Sequence, residues 1–250
     1  MRPLMIRAVC SMMLLLVAAC ESGSSAPPPT PTPLPPPAGT IPAPHGPALG
    51  IGEPRIPQPY TLDQRLLDAV SNDDRRTIEL ALERGAKLSA KDDIGRSVVL
   101  RAVLDAGNLD LVRWLHGKGA ALDEPDSGGR TALSFAAANG RLDLVRYLVE
   151  NGAAVNRVDV QRRPPLFHAA IGGHLEVATF LLDHGANPNL QDQFGDTPLM
   201  VACAKGYGDI ATLLLQRGAD PALEDEEGRT ARERAAAGTE ACSPPGPKTP

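Results

Sequence analysis

The dipeptide Gly-Ala recurs at Gly85, Gly119, Gly152, Gly185 and Gly218, with spacings of 34, 33, 33 and 33 residues. A fixed period of this length means that the chain is assembled from copies of one supersecondary unit, each too small to bury its apolar face alone. The cleanest copy reads GRTALSFAAANGRLDLVRYLVENGAAVN from Gly129, and Thr131 is followed 33, 66 and 99 residues later by Pro164, Thr197 and Thr230. At Thr197-Pro198 a hydroxyl can cap a helix whose first turn suits proline, which predicts a short inner helix. The small pairs Ala136-Ala137, Ala169-Ala170 and Ala202-Cys203 let neighbouring backbones approach. Gly140, Gly173 and Gly206 then supply the left-handed conformation that ends the helix. A second helix follows, with the buried stripe Leu144, Val145, Leu148 and Val149, repeated as Val177, Ala178, Leu181, Leu182 and as Ile210, Ala211, Leu214, Leu215. Five such pairs, stacked, make one continuous core.

Departures from the unit carry information of their own. The first copy keeps Leu66, Ala69, Ile78 and Leu82 but has Asp73 where later copies have glycine, and it reads as an N-terminal cap. A sixth begins GRTARERAAAG at Gly228 and stops after one helix, with Arg232 in place of leucine, so it reads as a C-terminal cap with a wettable outer face. The run Leu100 to Asn108 holds one residue more than its equivalents. The fourth unit has Arg162 for the turn glycine and Pro164 for threonine. Distortion is expected at both places.

The period and helix-start motif, clearest in GDTPLMVACAKG from Gly195, resemble those of the ankyrin repeat over about residues 60–238. That resemblance implies an all-α ankyrin-repeat solenoid whose helix pairs are joined by β-turn loops. It also implies a concave surface, formed by turn tips and inner helices, that binds a protein partner. The matching partner-binding positions are Arg96, Arg130, Arg163, Gln193, Phe194 and Asp196 at the turns, with Asn139, Ile171 and Lys205 on inner helices. The residues after the turn glycine or its replacement are Arg96, Arg130, Arg163, Asp196 and Arg229, a basic row interrupted once. The histidine often found after leucine in the family's inner helix is replaced by Leu100, Ser134, Phe167 and Met200.

Ahead of the repeats, residues 1–19 read as a signal peptide: Arg2 and Arg7, an apolar run through Met12, Met13, Leu14, Leu15, Leu16 and Val17, then small residues. Val17-Ala18-Ala19-Cys20 resembles the lipobox of bacterial lipoproteins, which implies acylation of Cys20 and a membrane attachment through that N-terminal anchor. Residues 20–59 then form a lipid-anchored Pro-rich linker, expected to be extended or disordered and able to reach on the order of 100 Å. Residues 60–238 form the repeat domain, five repeats plus a half-repeat cap, and 239–250 a disordered tail.

With 25 basic against 30 acidic residues the chain is net −5, which gives no footprint for nucleic acid. His168, His174, His184 and Cys203 are the candidate polar groups for chemistry, but their positions assign His174 to packing at a turn, His168 and His184 to the surface, and Cys203 to a packed small-residue site. Cys203 and Cys242 are expected to remain free thiols. No catalytic, cofactor or metal residues are assigned. The chain reads as a non-enzymatic, monomeric protein-binding scaffold on the periplasmic face of the bacterial envelope. The alternatives are an immunity protein or inhibitor, an accessory factor for a periplasmic enzyme, or a passive structural lipoprotein.

Overall fold

A computed structural model describes residues 60–235 and Cys242; the expected signal peptide, the expected lipidation site Cys20 and the expected linker lie outside the described residues. Ten α-helices follow in pairs: α1 (Leu62–Ser71) with α2 (Arg75–Glu83), α3 (Val98–Arg101) with α4 (Leu109–Gly117), and α5 (Ala132–Ala138) with α6 (Leu142–Glu150). The series continues with α7 (Pro165–Gly172) and α8 (Leu175–Asp183), then α9 (Pro198–Lys205) and α10 (Gly208–Gln216). No strand occurs among the described residues, and the one isolated bridge joins Lys91 to Ser97. The all-α solenoid expected from the period is therefore the observed fold.

The inner helices begin as their sequences dictate. Thr131 and Thr197 each accept the amide of the residue three positions on, at 3.3 Å from Ser134 and 3.2 Å from Met200, satisfying a donor that the helix leaves open. Pro164 cannot cap in this way, yet α7 still starts there, with Pro165 as its first helical residue. Ala136, Ala137, Ala169, Ala170, Ala202 and Cys203 are all fully buried, so the inner helices α5, α7 and α9 pack against one another directly. Leu144, Val145, Leu148, Val177, Leu181, Ile210 and Leu214 close the core from the outer helices.

Both irregular places have a clear outcome. The extra residue after Leu100 is absorbed as a π-helical segment, Ala102–Ala106, ended by Gly107 in the left-handed region at φ 56°. One residue inserted into a helix whose two ends are held by stacking must widen a turn. The distortion expected at Arg162 does not occur. Arg162 takes the left-handed conformation itself (φ 63°) and donates its amide to Asp159 at 2.9 Å, as Gly129 does to Asp126. Asp73 does the same at φ 52°.

A column of outer-helix N-caps ties each repeat to the one before it. Asn108 Nδ2 donates to Asp73 at 2.6 Å, His174 Nε2 donates to the carbonyl of Ala138 at 2.9 Å, and Tyr207 lies against Gly173. The space over Gly140 is filled by the His174 ring, which a Cβ there would meet at 2.5 Å.

At the C-terminal end one expectation is corrected. The sixth unit is described only as far as residue 235, and the rest of its expected helix lies outside the described residues. After Ala231, buried to 1%, it forms a single turn in which Arg234 donates to Thr230 at 3.2 Å. The thiols of Cys203 and Cys242 are not free. They form a disulfide with a Cα–Cα distance of 5.8 Å, inside the range such a bond requires. Cys242, within the stretch expected to be a disordered tail, is instead buried to 2%.

Candidate functional site: a ladder of turns

After each of the five helix pairs the chain makes an equivalent turn, opened by an aspartate: Asp92, Asp126, Asp159, Asp192 and Asp225. In each, Oδ1 accepts two backbone amides, two and four residues on. The distances are 3.1 and 2.8 Å at Asp92, 2.8 and 2.9 Å at Asp126 and Asp159, 2.8 and 3.0 Å at Asp192, and 2.9 Å twice at Asp225. The carboxylate thus shapes the turn from within, as Asx side chains do.

Adjacent turns are then stitched together. Ser127 donates its amide to the carbonyl of Ile94, Val160 to Gly128 and Gln193 to Gln161 at 2.9 Å each, and Glu226 to Phe194 at 3.0 Å. The tips therefore form a continuous hydrogen-bonded ladder.

The second oxygen, Oδ2, decides where the arginines go, because four of these aspartates are buried to 7% exposure or less and each needs a donor. Where the inner helix, or the sixth unit's turn in its place, offers a polar side chain at the facing position, that residue serves. Arg101 reaches Asp92 at 3.1 Å, His168 reaches Asp159 at 3.1 Å and Arg234 reaches Asp225 at 2.8 Å. Where the same position is apolar, Phe135 or Val201, a turn arginine fills in. Arg130 contacts Asp126 through Nε and Nη2 at 3.1 and 3.0 Å, its guanidinium 4.5 Å from the Phe135 ring centre. The fourth turn has Asp196 where an arginine would stand, so Arg163 crosses from the preceding turn to Asp192, with Nε at 3.1 Å and Nη2 at 3.0 Å. Arg96 and Arg229 pair with Asp92 and Asp225 at 2.9 and 3.0 Å.

The electrostatics follow from this pairing. Burial acts to raise Asp225, but the Arg229 and Glu227 amides and the Arg234 and Arg229 guanidiniums outweigh it and hold the carboxyl well below the ordinary range. Burial likewise opposes, and the Arg96 and Ile94 amides reverse, a shift that leaves Asp92 low. Asp196 moves the other way, raised by burial against the attraction of Arg234 and with Asp192 and Asp225 close by. His168, expected at the surface, is largely buried in the groove wall. Burial lowers its pKa despite the neighbouring Asp159 carboxylate.

The nine positions named as partner-binding thus divide by environment. Arg96, Arg130 and Arg163 lie at the ladder with their charges engaged by aspartates, and Asp196 pairs with Arg234. Asn139 donates to the Phe135 carbonyl at 3.0 Å, Ile171 is half-buried, and Gln193 and Lys205 are exposed. Phe194 is 50% exposed at a tip. Two further apolar tip residues accompany it, Ile94 at 46% and Val160 at 68% exposure. The sequence reading passed over them and over the five aspartates, although the aspartates recur at 34, 33, 33 and 33 residues, the period of the Gly-Ala marker. Among the described residues no cluster of three or more histidine, cysteine or acidic side chains is arranged to hold a metal ion.

Stacked helix pairs joined by laddered turns are what the family comparison recognises: the family model for ankyrin repeats, in three copies, matches residues 66–159 and 155–225, more than half of the chain. The chain belongs to the ankyrin-repeat family. No curated protein matches it. Ankyrin repeats are a protein-interaction scaffold, and the ladder of turns beside the inner helices is the candidate interface of this ankyrin domain.

Proposed function

We propose that this ankyrin-repeat protein is a lipid-anchored scaffold of the bacterial envelope, attached through Cys20 on the periplasmic face, and that it captures a protein partner on its ladder of turns and concave face. The observation that carries the capture is the exposed apolar side chain at three of the five tips, Ile94, Val160 and Phe194, on turns held by aspartate and ladder hydrogen bonds. Apolar side chains on a preorganised frame contribute to binding at low cost in ordering. The leader and the Val17-Ala18-Ala19-Cys20 motif support the anchor, and a buried disulfide suits an oxidising compartment.

The mature tagged protein tests both parts. Mass spectrometry should find an acylated N-terminus at Cys20, lost in Cys20→Ala; a mature N-terminus at Cys20 without acyl mass refutes the anchor and leaves export standing. Affinity isolation from the cell envelope should yield one stoichiometric protein. That yield should vanish in the pair Val160→Asp, Phe194→Asp and persist in Leu80→Asp, which places the same charge on an exposed outer-helix residue. Capture that survives the tip pair overturns the assignment of the surface, and a consistent lack of any partner favours the passive structural reading. The identity of the captured protein separates an inhibitor or immunity role from support of an enzyme.

A further inference from the structure

Every inner helix of a solenoid must be covered by the next, and among the described residues the sixth unit lays one turn, Ala231 to Arg234, over the end of the series beyond α9. The positions equivalent to Cys203 in the two preceding inner helices are Ala137 and Ala170, each followed by a complete repeat. Cys203 faces the sixth unit, and it is 0% exposed and bonded to Cys242, itself 2% exposed. A single turn has almost no stability of its own, because nucleating a helix costs more than its first hydrogen bond returns. Among the described residues it is also held by the Ala231 side chain and by the Arg234 guanidinium, which pairs with Asp196 and Asp225.

We propose that the Cys203–Cys242 disulfide is a covalent clasp that closes the C-terminal half-repeat over α9, formed by thiol–disulfide exchange once the chain meets a disulfide oxidant, so that this end is closed when oxidised and open when reduced. The exchange is balanced by an oxidant of the class R–S–S–R. The Cys242 thiolate, on the chain end and reachable before closure, attacks one oxidant sulfur and releases the first R–SH. The Cys203 thiolate then attacks Cys242 Sγ in the mixed disulfide, the Cys203–Cys242 bond forms, and the second R–SH leaves. Two thiols lose two protons and two electrons, and the oxidant gains both. Cys203 is the resolving thiol because it is held in α9, where it becomes accessible only while the half-repeat is open. Closure has a consequence at the interface as well: it fastens Arg234 beside Asp196 and Asp225, and with them the last rung of the ladder, Glu226 on Phe194.

The clasp is tested without a partner or an anchor. The full mature chain is reduced, then exposed to oxidised glutathione, and followed by thiol alkylation with peptide mapping and by amide hydrogen exchange. The oxidised protein should resist alkylation at both cysteines and yield a Cys203–Cys242 peptide. Reduction should speed exchange across residues 228–235 and at the C-terminal end of α9 by on the order of a hundredfold, leaving α5 to α8 unchanged. The variant Cys203→Ala with Cys242→Ala should exchange like the reduced protein under either condition. Alanine is the residue that α5 and α7 already carry at the position of Cys203, so the stack is preserved. Two results overturn the clasp: failure of the bond to form in oxidised glutathione, or a bond whose reduction leaves exchange in 228–235 unchanged.

Discussion

Replacing Asp192 by asparagine separates the two tasks that the turn aspartates perform. Asparagine keeps an oxygen where Oδ1 stands, so the amides of Phe194 and Asp196, at 2.8 and 3.0 Å, retain their acceptor. It puts an NH2 group where Oδ2 received Nε and Nη2 of Arg163 at 3.1 and 3.0 Å, and donor then faces donor. A hydrogen bond to a charged group contributes about 1.5–3 kcal/mol when well enclosed. The Arg163 side chain is 22% exposed and can turn partly to water, so the expected loss is about 1–2 kcal/mol. At Asp159 the same substitution loses only a contact with His168, kept neutral by burial, and should cost about 0.5–1 kcal/mol. For a domain of this size Asp192→Asn should lower the melting temperature by roughly 2–8 °C, and by less at Asp159. Urea and thermal melts followed by far-UV circular dichroism give both numbers. Arg163→Met measured alone and in the Asp192→Asn background gives the coupling. Equal losses at the two aspartates, or an Arg163→Met cost undiminished when Asp192 is already asparagine, refute the account of Oδ2 as the group that places the arginines.

Arg162→Gly should stabilise the domain by about 0.5–1 kcal/mol: the left-handed backbone at φ 63° costs a side-chain-bearing residue about 1–2 kcal/mol, and glycine's looser unfolded state offsets part of the gain. A lower urea midpoint for the variant contradicts this. His168 is held below its ordinary value of 6.5 by burial, so in the window between the depressed and ordinary values the unfolded chain binds more protons, and stability must fall as pH falls. Melting temperature should therefore drop from about pH 7.5 to about pH 5.5 more steeply in wild type than in His168→Gln, and parallel profiles contradict it.

The named partner-binding residues show how far the repeat alone could be read. Equivalence by period placed Arg96, Arg130, Arg163, Asp196 and Arg229 in one row correctly, since a shared spacing in a stack means a shared place on the surface. What each does there depends on what the neighbouring repeat presents. Arg163 leaves its own turn for Asp192, which Asp196, one repeat on, leaves without a turn arginine. No reading of a single unit contains that exchange, as it crosses the interface between two.

The helix pairs, their order, the capping threonines, the core stripe and the left-handed glycines follow from local chemistry repeated at a constant interval, and the sequence by itself determined them. Period also placed the one inserted residue within the run Leu100 to Asn108, but whether a loop or a helix would take it up was decided by stacking, which holds both helix ends and forces a π-helical turn. Arg162 was legible as an anomaly and illegible as harmless, because the ladder hydrogen bonds that hold the two residues before it, Val160 donating to Gly128 and Gln161 accepting from Gln193, come from adjacent turns. The Cys203–Cys242 bond joins residues 39 apart. A spacing states only which cysteines exist; whether two come within bonding distance is set by where the chain returns after its last turn, and tertiary packing alone settles that.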